Sequence, residues 1–229
     1  FFGVNILWVT VFSGSSVAGQ RLGAGSREKA LATIATYASW ILCLGVVLAA
    51  ILYAIAPWIC SIMQLDTATR AYGIEYMRII CLLMVVWSFK LVLQSILNIF
   101  GLPQWNMVAN IIFFICNLAG TAFAVYGGFG FEPTGLAGVA WANIIASCIG
   151  ALVCGYFVLT RVALGLSKKA LVAEFKSAST HTLRIALPSM IEPLSFDLNM
   201  MVLNGFAATL GTAALAAKIY TFNIWNNFG

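Results

Sequence analysis

The chain has 229 residues, 62% of them hydrophobic and 8% charged, with a mean hydropathy of +0.98. A soluble domain of this composition lacks the polar surface to stay dispersed, so the solvent for most of the chain is lipid. The formal charge of +5 does not signal nucleic acid, because the basic residues cluster in breaks between apolar stretches and not along an aromatic-studded face.

Seven apolar stretches follow one another: Phe1–Ala18, Leu31–Ile59, Ile79–Ile99, Met107–Val125, Leu136–Leu159, Ile185–Phe206 and Ala213–Phe228. A helix needs about 20 apolar residues to cross roughly 30 Å of hydrocarbon, and the five central stretches meet that length. Their hydrophobicity is continuous and does not alternate over about 10 residues, so they are helices and not barrel strands. The first and last stretches are shortened spans, which predicts at least one helix before Phe1 and more chain after Gly229.

The breaks set the orientation. Arg21, Arg27 and Lys29 lie in the first break, and Arg161, Lys168, Lys169, Lys176 and Arg184 lie in the long break before the sixth stretch. By the positive-inside rule both are cytoplasmic. The turn at Gly101-Leu102-Pro103 then falls on the same side, while Ser61–Ala71 and Gly127–Gly135, the latter with Glu132, fall outside.

Polar residues inside the spans carry the functional information. Lys90 and Gln94 share a face of the third stretch, and Lys90 lies 11 residues before Gly101, about 16 Å deep, too far to snorkel comfortably. It faces either a structural ion-pair partner or a transport pathway. In and beside the fourth stretch Asn106, Asn110, Asn117 and Thr121, at spacings of 4, 7 and 4, form one polar stripe, which serves either as interhelical glue or as a lining.

The sixth stretch holds Pro188, Glu192, Pro193, Ser195, Asp197 and Asn199. Two prolines predict a kink or break near Glu192, and broken helices beside an acid are how secondary transporters build cation sites. Glu192, Ser195 and Asn199 share a face, with Asp197 about 140° from Glu192, and either carboxylate is a candidate. If hydrocarbon begins near His181, Glu192 lies about 16 Å deep and needs a proton, a partner or an ion; if it begins near Pro188, Glu192 is an ordinary first-turn acid.

Hydrolytic and metal chemistry find no motif. The six cysteines lie in or beside spans without C-x-x-C spacing and read as small packing residues, and His181 is the single histidine. The run Gly14-Ser15-Ser16-Val17-Ala18-Gly19 has no base nearby and reads as small residues permitting close helix approach.

Four segments together resemble the multidrug and toxic compound extrusion (MATE) transporters. They are Gln20-Arg21-Leu22-Gly23-Ala24-Gly25-Ser26-Arg27-Glu28-Lys29-Ala30; Asn117 with Gly127 ten residues on; Gly135-Leu136-Ala137-Gly138-Val139-Ala140-Trp141-Ala142-Asn143; and Leu187-Pro188 through Glu192 to Leu210-Gly211-Thr212-Ala213-Ala214-Leu215-Ala216-Ala217. The resemblance implies an all-α polytopic bundle, part of a twelve-helix, two-lobe transporter. Residues 1–165 would belong to the N-terminal lobe (helices two to six), 166–184 to a basic cytoplasmic connecting loop, and 185–229 to the start of the C-terminal lobe.

It also implies a function: a Na⁺- or H⁺-coupled antiporter, not an enzyme, that exports organic cations, drugs or other amphiphiles by alternating access. The family's N-lobe cation site maps onto Asn117, Thr121, Asn143 and Tyr76. Thr121 stands where an Asp or Asn is often found, and the family's first-helix acid lies outside the sequence. Glu192 matches the acid four residues after the proline in many bacterial members; Asp197 is next to the position used in other branches, and Met190, Met200 and Met201 are candidate substrate contacts. The expected setting is a multi-pass, monomeric protein of the inner or plasma membrane, with a small organic substrate and lipid as partners and no cofactor beyond the coupling ion. The alternatives are a flippase for lipid-linked oligosaccharides, which Lys90 would suit, and a non-transporting membrane scaffold.

Overall fold

The structure, a computed structural model, describes residues 2–62, 67–127, 135–162, 168–209, 217, 218 and 220–222. Among them every regular element is an α-helix: α1 (Phe2–Gly23), α2 (Arg27–Ile62), α3 (Thr67–Ile99), α4 (Pro103–Tyr126), α5 (Gly135–Arg161) and α6 (Lys168–Thr209). The seventh expected span and Glu132 fall largely or wholly outside the described residues.

Two turns show how local sequence fixes the topology. At the end of α1 the Ser26 N–H donates to the Arg21 carbonyl at 3.1 Å and the Gly25 N–H to Leu22 at 3.0 Å. At the end of α3 the Leu102 N–H donates to Leu97 at 2.8 Å and the Gly101 N–H to Asn98 at 3.1 Å. Each is a Schellman motif, and each puts its glycine at positive φ, 77° for Gly25 and 70° for Gly101, where a Cβ would be strained. Pro103 then opens α4, where its missing N–H costs nothing. Such tight turns leave consecutive helices antiparallel.

The helices pack in two groups around α3. α2 lies against α1 and α3, α5 joins α3 to α4, and α6 runs along α1 and α2. Small residues set the spacing, as expected where lipid supplies no hydrophobic drive between helices. A Cβ at Gly14 would fall 2.5 Å from Tyr37 Cγ, one at Gly45 2.6 Å from Ser88 Oγ, and one at Gly120 2.9 Å from Ala142 Cβ. Tyr37 is fully buried, its hydroxyl 2.8 Å from Ser95 Oγ. Ser95 gives its own proton to the Val92 carbonyl, so Tyr37 is the donor.

Two expectations for α6 are corrected. The basic segment 168–184 is helical, forming the first turns of α6 and not a loop; its charges, read as a break, lie on an element that packs against α1 and α2. The helix also continues through Pro188 and Pro193 without a break. Proline in a helix interior costs about 3 kcal/mol, but in membrane bundles neighbouring helices and local adjustment re-satisfy the freed groups. Glu192 is therefore a mid-helix residue, and its reading as a first-turn acid falls.

Among the described residues four segments are long and apolar enough by themselves to cross a membrane: Arg27–Trp58, Gly73–Ile99, Pro103–Tyr126 and Gly135–Arg161. One end of the bundle collects basic groups. Arg27 lies 5.5 Å from the Phe100 ring centroid, Arg161 lies 5.1 Å from that of Trp105, and Arg21 pairs with Glu174. The first turn, the α3–α4 turn and the α5–α6 end thus share one face, which the positive-inside rule makes cytoplasmic.

Two outcomes test this fold. In the full-length protein stripped of native cysteines, Ser26→Cys and Gln104→Cys are labelled by an impermeant maleimide from the cytoplasmic side and Tyr126→Cys from the other; labelling of all three from one side contradicts the helix order. Gly45→Ala lowers thermal stability by about 1–3 kcal/mol through overpacking, and Ser88→Gly in the same chain restores part of the loss; an unchanged melting temperature for Gly45→Ala refutes the close approach.

Candidate functional site

Asn117 on α4 and Asn143 on α5 meet where Gly120 lets the two helices approach. The Asn117 Nδ2 donates to Asn143 Oδ1 at 2.6 Å, and Asn143 Nδ2 donates to the Val139 carbonyl at 3.0 Å. Because the second bond commits the Asn143 nitrogen, its oxygen faces Asn117, and Asn117 Oδ1 is left without a donor among the described residues. Asn117 is half-buried, and an amide oxygen free to accept is chemically suited to a hard cation. Thr121 lies one turn further along α4, half-buried like Tyr76 on α3. Among the described residues no hydrogen bond ties either to the Asn pair.

The inner half of the α4 stripe has a different partner. Gln94 Nε2 donates to Asn110 Oδ1 at 2.8 Å, Asn110 Nδ2 to Asn106 Oδ1 at 3.4 Å, and Asn106 Nδ2 to Asn98 Oδ1 at 3.2 Å. One stripe therefore serves two helices: α3 near the Gly101 turn and α5 further out. Asn98 was not singled out from sequence, although its place one turn beyond Gln94 on α3 was the signal.

Lys90 is 3% exposed, with Nζ 3.6 Å from the centroid of the Phe113 ring on α4. The pocket for its side chain exists because position 150 of α5 is glycine: a Cβ there would lie 3.3 Å from Lys90 Cε and from Phe113 Cβ. Among the described residues no carboxylate pairs with Lys90. The cation is held by an aromatic face between three helices, with no ion-pair partner among the described residues.

On α6 the two acids separate as their spacing predicts. Asp197 faces α1, where Asn5 Nδ2 donates to its Oδ2 at 2.8 Å. Glu192, Ser195 and Asn199 are exposed, and among the described residues Glu192 has neither a hydrogen bond nor an ion pair. Met201 is 66% exposed and Met190 and Met200 are partly so. Toward the cytoplasmic end a second set of contacts joins α6 to α1 and α2. Arg21 donates to Thr33 Oγ1 at 2.8 Å, Glu174 Oε2 at 3.2 Å and Ser177 Oγ at 3.1 Å, while Trp40 Nε1 donates to Ser179 Oγ at 3.1 Å. Neither Asn5 nor the Arg21 cluster was picked out from sequence; an isolated amide and an arginine in a basic break gave no indication of partners more than 150 residues away.

The MatE family model matches residues 1–123. Among curated proteins the chain is 30% identical over 204 residues to the uncharacterized transporter YisQ of Bacillus subtilis, covering 87% of this chain and 44% of that protein. It is 24% identical over 226 residues to the probable multidrug resistance protein NorM of Thermotoga maritima, covering 98% and 48%. The chain thus spans about half the length of the curated relatives it matches. Its fold superposes on a MOP superfamily transporter from Pyrococcus furiosus with a TM-score of 0.83 at 22% identity, over 98% of this chain and 49% of that one. The resemblance read from the loop and span motifs is borne out: this multi-pass membrane chain belongs to the MatE family.

Proposed function

We propose that the chain is part of a cation-coupled exporter of organic cations or other amphiphiles, working by alternating access. The observation that carries this reading is Glu192. It lies five residues before Asp197 on α6, about 7.5 Å inward of the Asn5–Asp197 contact, and has no basic partner among the described residues. A carboxylate at membrane depth without a protein counter-ion requires a proton, a metal cation or a cationic substrate. Alternation between such occupants couples an ion gradient to export.

The Asn117–Asn143 pair supplies the second half of the proposal. Its uncommitted amide oxygen suits Na⁺ better than H⁺, since a neutral amide cannot carry a proton at working pH. Ser195, Asn199 and the α6 methionines offer the polar and polarizable wall that holds bulky cations. A lipid-linked oligosaccharide flippase gains no support from Lys90, because a cation covered by Phe113 presents no charge to a pyrophosphate.

In vesicles carrying the full-length protein and an imposed ion gradient, Glu192→Gln lowers cation export by about tenfold or more, the factor set by ~1.4 kcal/mol of lost stabilisation, and Glu192→Asp retains part of it. Wild-type export by Glu192→Gln overturns the assignment and transfers it to Asp197. Asn117→Leu leaves the protein in the membrane but raises the ion concentration needed for half-maximal flux; an unchanged ion dependence returns Asn117 to interhelical packing.

A further inference from the structure

The outer end of α3 carries a charged cleft that none of these functions uses. It has a volume of about 370 Å³ and is lined by Ile74, Glu75, Arg78, Ile79 and Leu82 of α3 and by Trp141 of α5. Two faces of α3 are packed, one by Ser88 against Gly45 of α2 and the other by Lys90 against Gly150 of α5. Glu75, Arg78, Leu82 and Phe89, at spacings of 3, 4 and 7, form a stripe away from both, with Leu82 and Phe89 each 48% exposed. Arg78 lies five residues into the apolar segment that starts at Gly73, about 7.5 Å, which is headgroup depth on the side opposite the basic turns.

Acid and base three residues apart on a helix ordinarily pair. Here Glu75 and Arg78 form no ion pair; the Arg78 guanidinium instead lies 5.1 Å from the Tyr53 ring centroid on α2, and the Glu75 carboxylate has no partner among the described residues. A lone interfacial arginine is explained by snorkelling, but an unpaired acid beside it is not. The cleft presents one anion receptor, one cation receptor, an indole that is 47% exposed, and an apolar track leading toward mid-membrane.

We propose that this cleft binds the headgroup of a zwitterionic glycerophospholipid of the outer leaflet. The phosphate meets the Arg78 fork, which suits phosphate bidentately. The ammonium group sits between the Glu75 carboxylate and the face of Trp141. An acyl chain follows Leu82 and Phe89.

The test is native mass spectrometry of the purified full-length protein titrated with phosphatidylethanolamine or phosphatidylglycerol. The wild type binds phosphatidylethanolamine about tenfold more tightly than phosphatidylglycerol, Arg78→Gln loses most binding of both, and Glu75→Gln removes the preference while keeping phosphatidylglycerol binding. Equal or tighter wild-type binding of phosphatidylglycerol overturns the proposal in favour of a plain basic anchor. A preference that survives Glu75→Gln also overturns it. The wild-type comparison decides the matter even where a variant fails to fold.

Discussion

Hydrocarbon offers no water to a buried polar group, so most polar side chains in these helices find a partner on their own helix or on another, Ser13 and Thr182 being exceptions among the described residues. That constraint orders this chain. Thr10, Thr33, Thr36, Ser39 and Ser88 donate to carbonyls of their own helices and cost the bundle little. The longer polar groups cannot be satisfied locally, and each identifies a helix neighbour: Tyr37 with Ser95 joins α2 to α3, Gln94 with Asn110 joins α3 to α4, Asn117 with Asn143 joins α4 to α5, and Asn5 with Asp197 joins α1 to α6.

Glycine sets how closely these pairs can form. Gly14, Gly45, Gly120 and Gly150 each lie where a Cβ would press on a neighbouring helix, and Gly150 also makes the space in which Lys90 reaches Phe113. Burying a cation against an aromatic ring compensates its lost hydration only in part. Packing therefore holds Lys90 at the junction of α3, α4 and α5.

The spans α2 to α5 were legible because their apolar runs are long and continuous, and the two inner turns because Gly25, Gly101 and Pro103 have one conformational use at those positions. Spacing alone gave the polar stripe from Asn106 to Thr121 and the divergence of Glu192 from Asp197. Periodicity says which face a residue occupies but not which helix covers it. That is why the stripe's split between α3 and α5, and the contacts 192 and 153 residues apart made by Asn5 and Arg21, were not visible. The inner turns of α6 were misread because Lys168, Lys169 and Lys176 signal a break by composition, whereas a helix can extend beyond the membrane with charged residues in its turns. The prolines misled in the same way, since their local cost does not decide whether a helix embedded in a bundle breaks.

The α1–α6 seam is the part of the fold on which the transport reading turns. It is fastened at two levels, by Asn5–Asp197 on one side and by the Arg21–Glu174–Ser177 cluster toward the cytoplasm, and alternating access demands that these contacts separate in turn. The most direct measurement joins Asn5→Cys to Asp197→Cys with a short bifunctional thiol reagent in the full-length protein freed of native cysteines, and follows gradient-driven flux in vesicles before and after. The account predicts that flux stops when the link forms and returns when it is cleaved; undiminished flux through fully linked protein would contradict it.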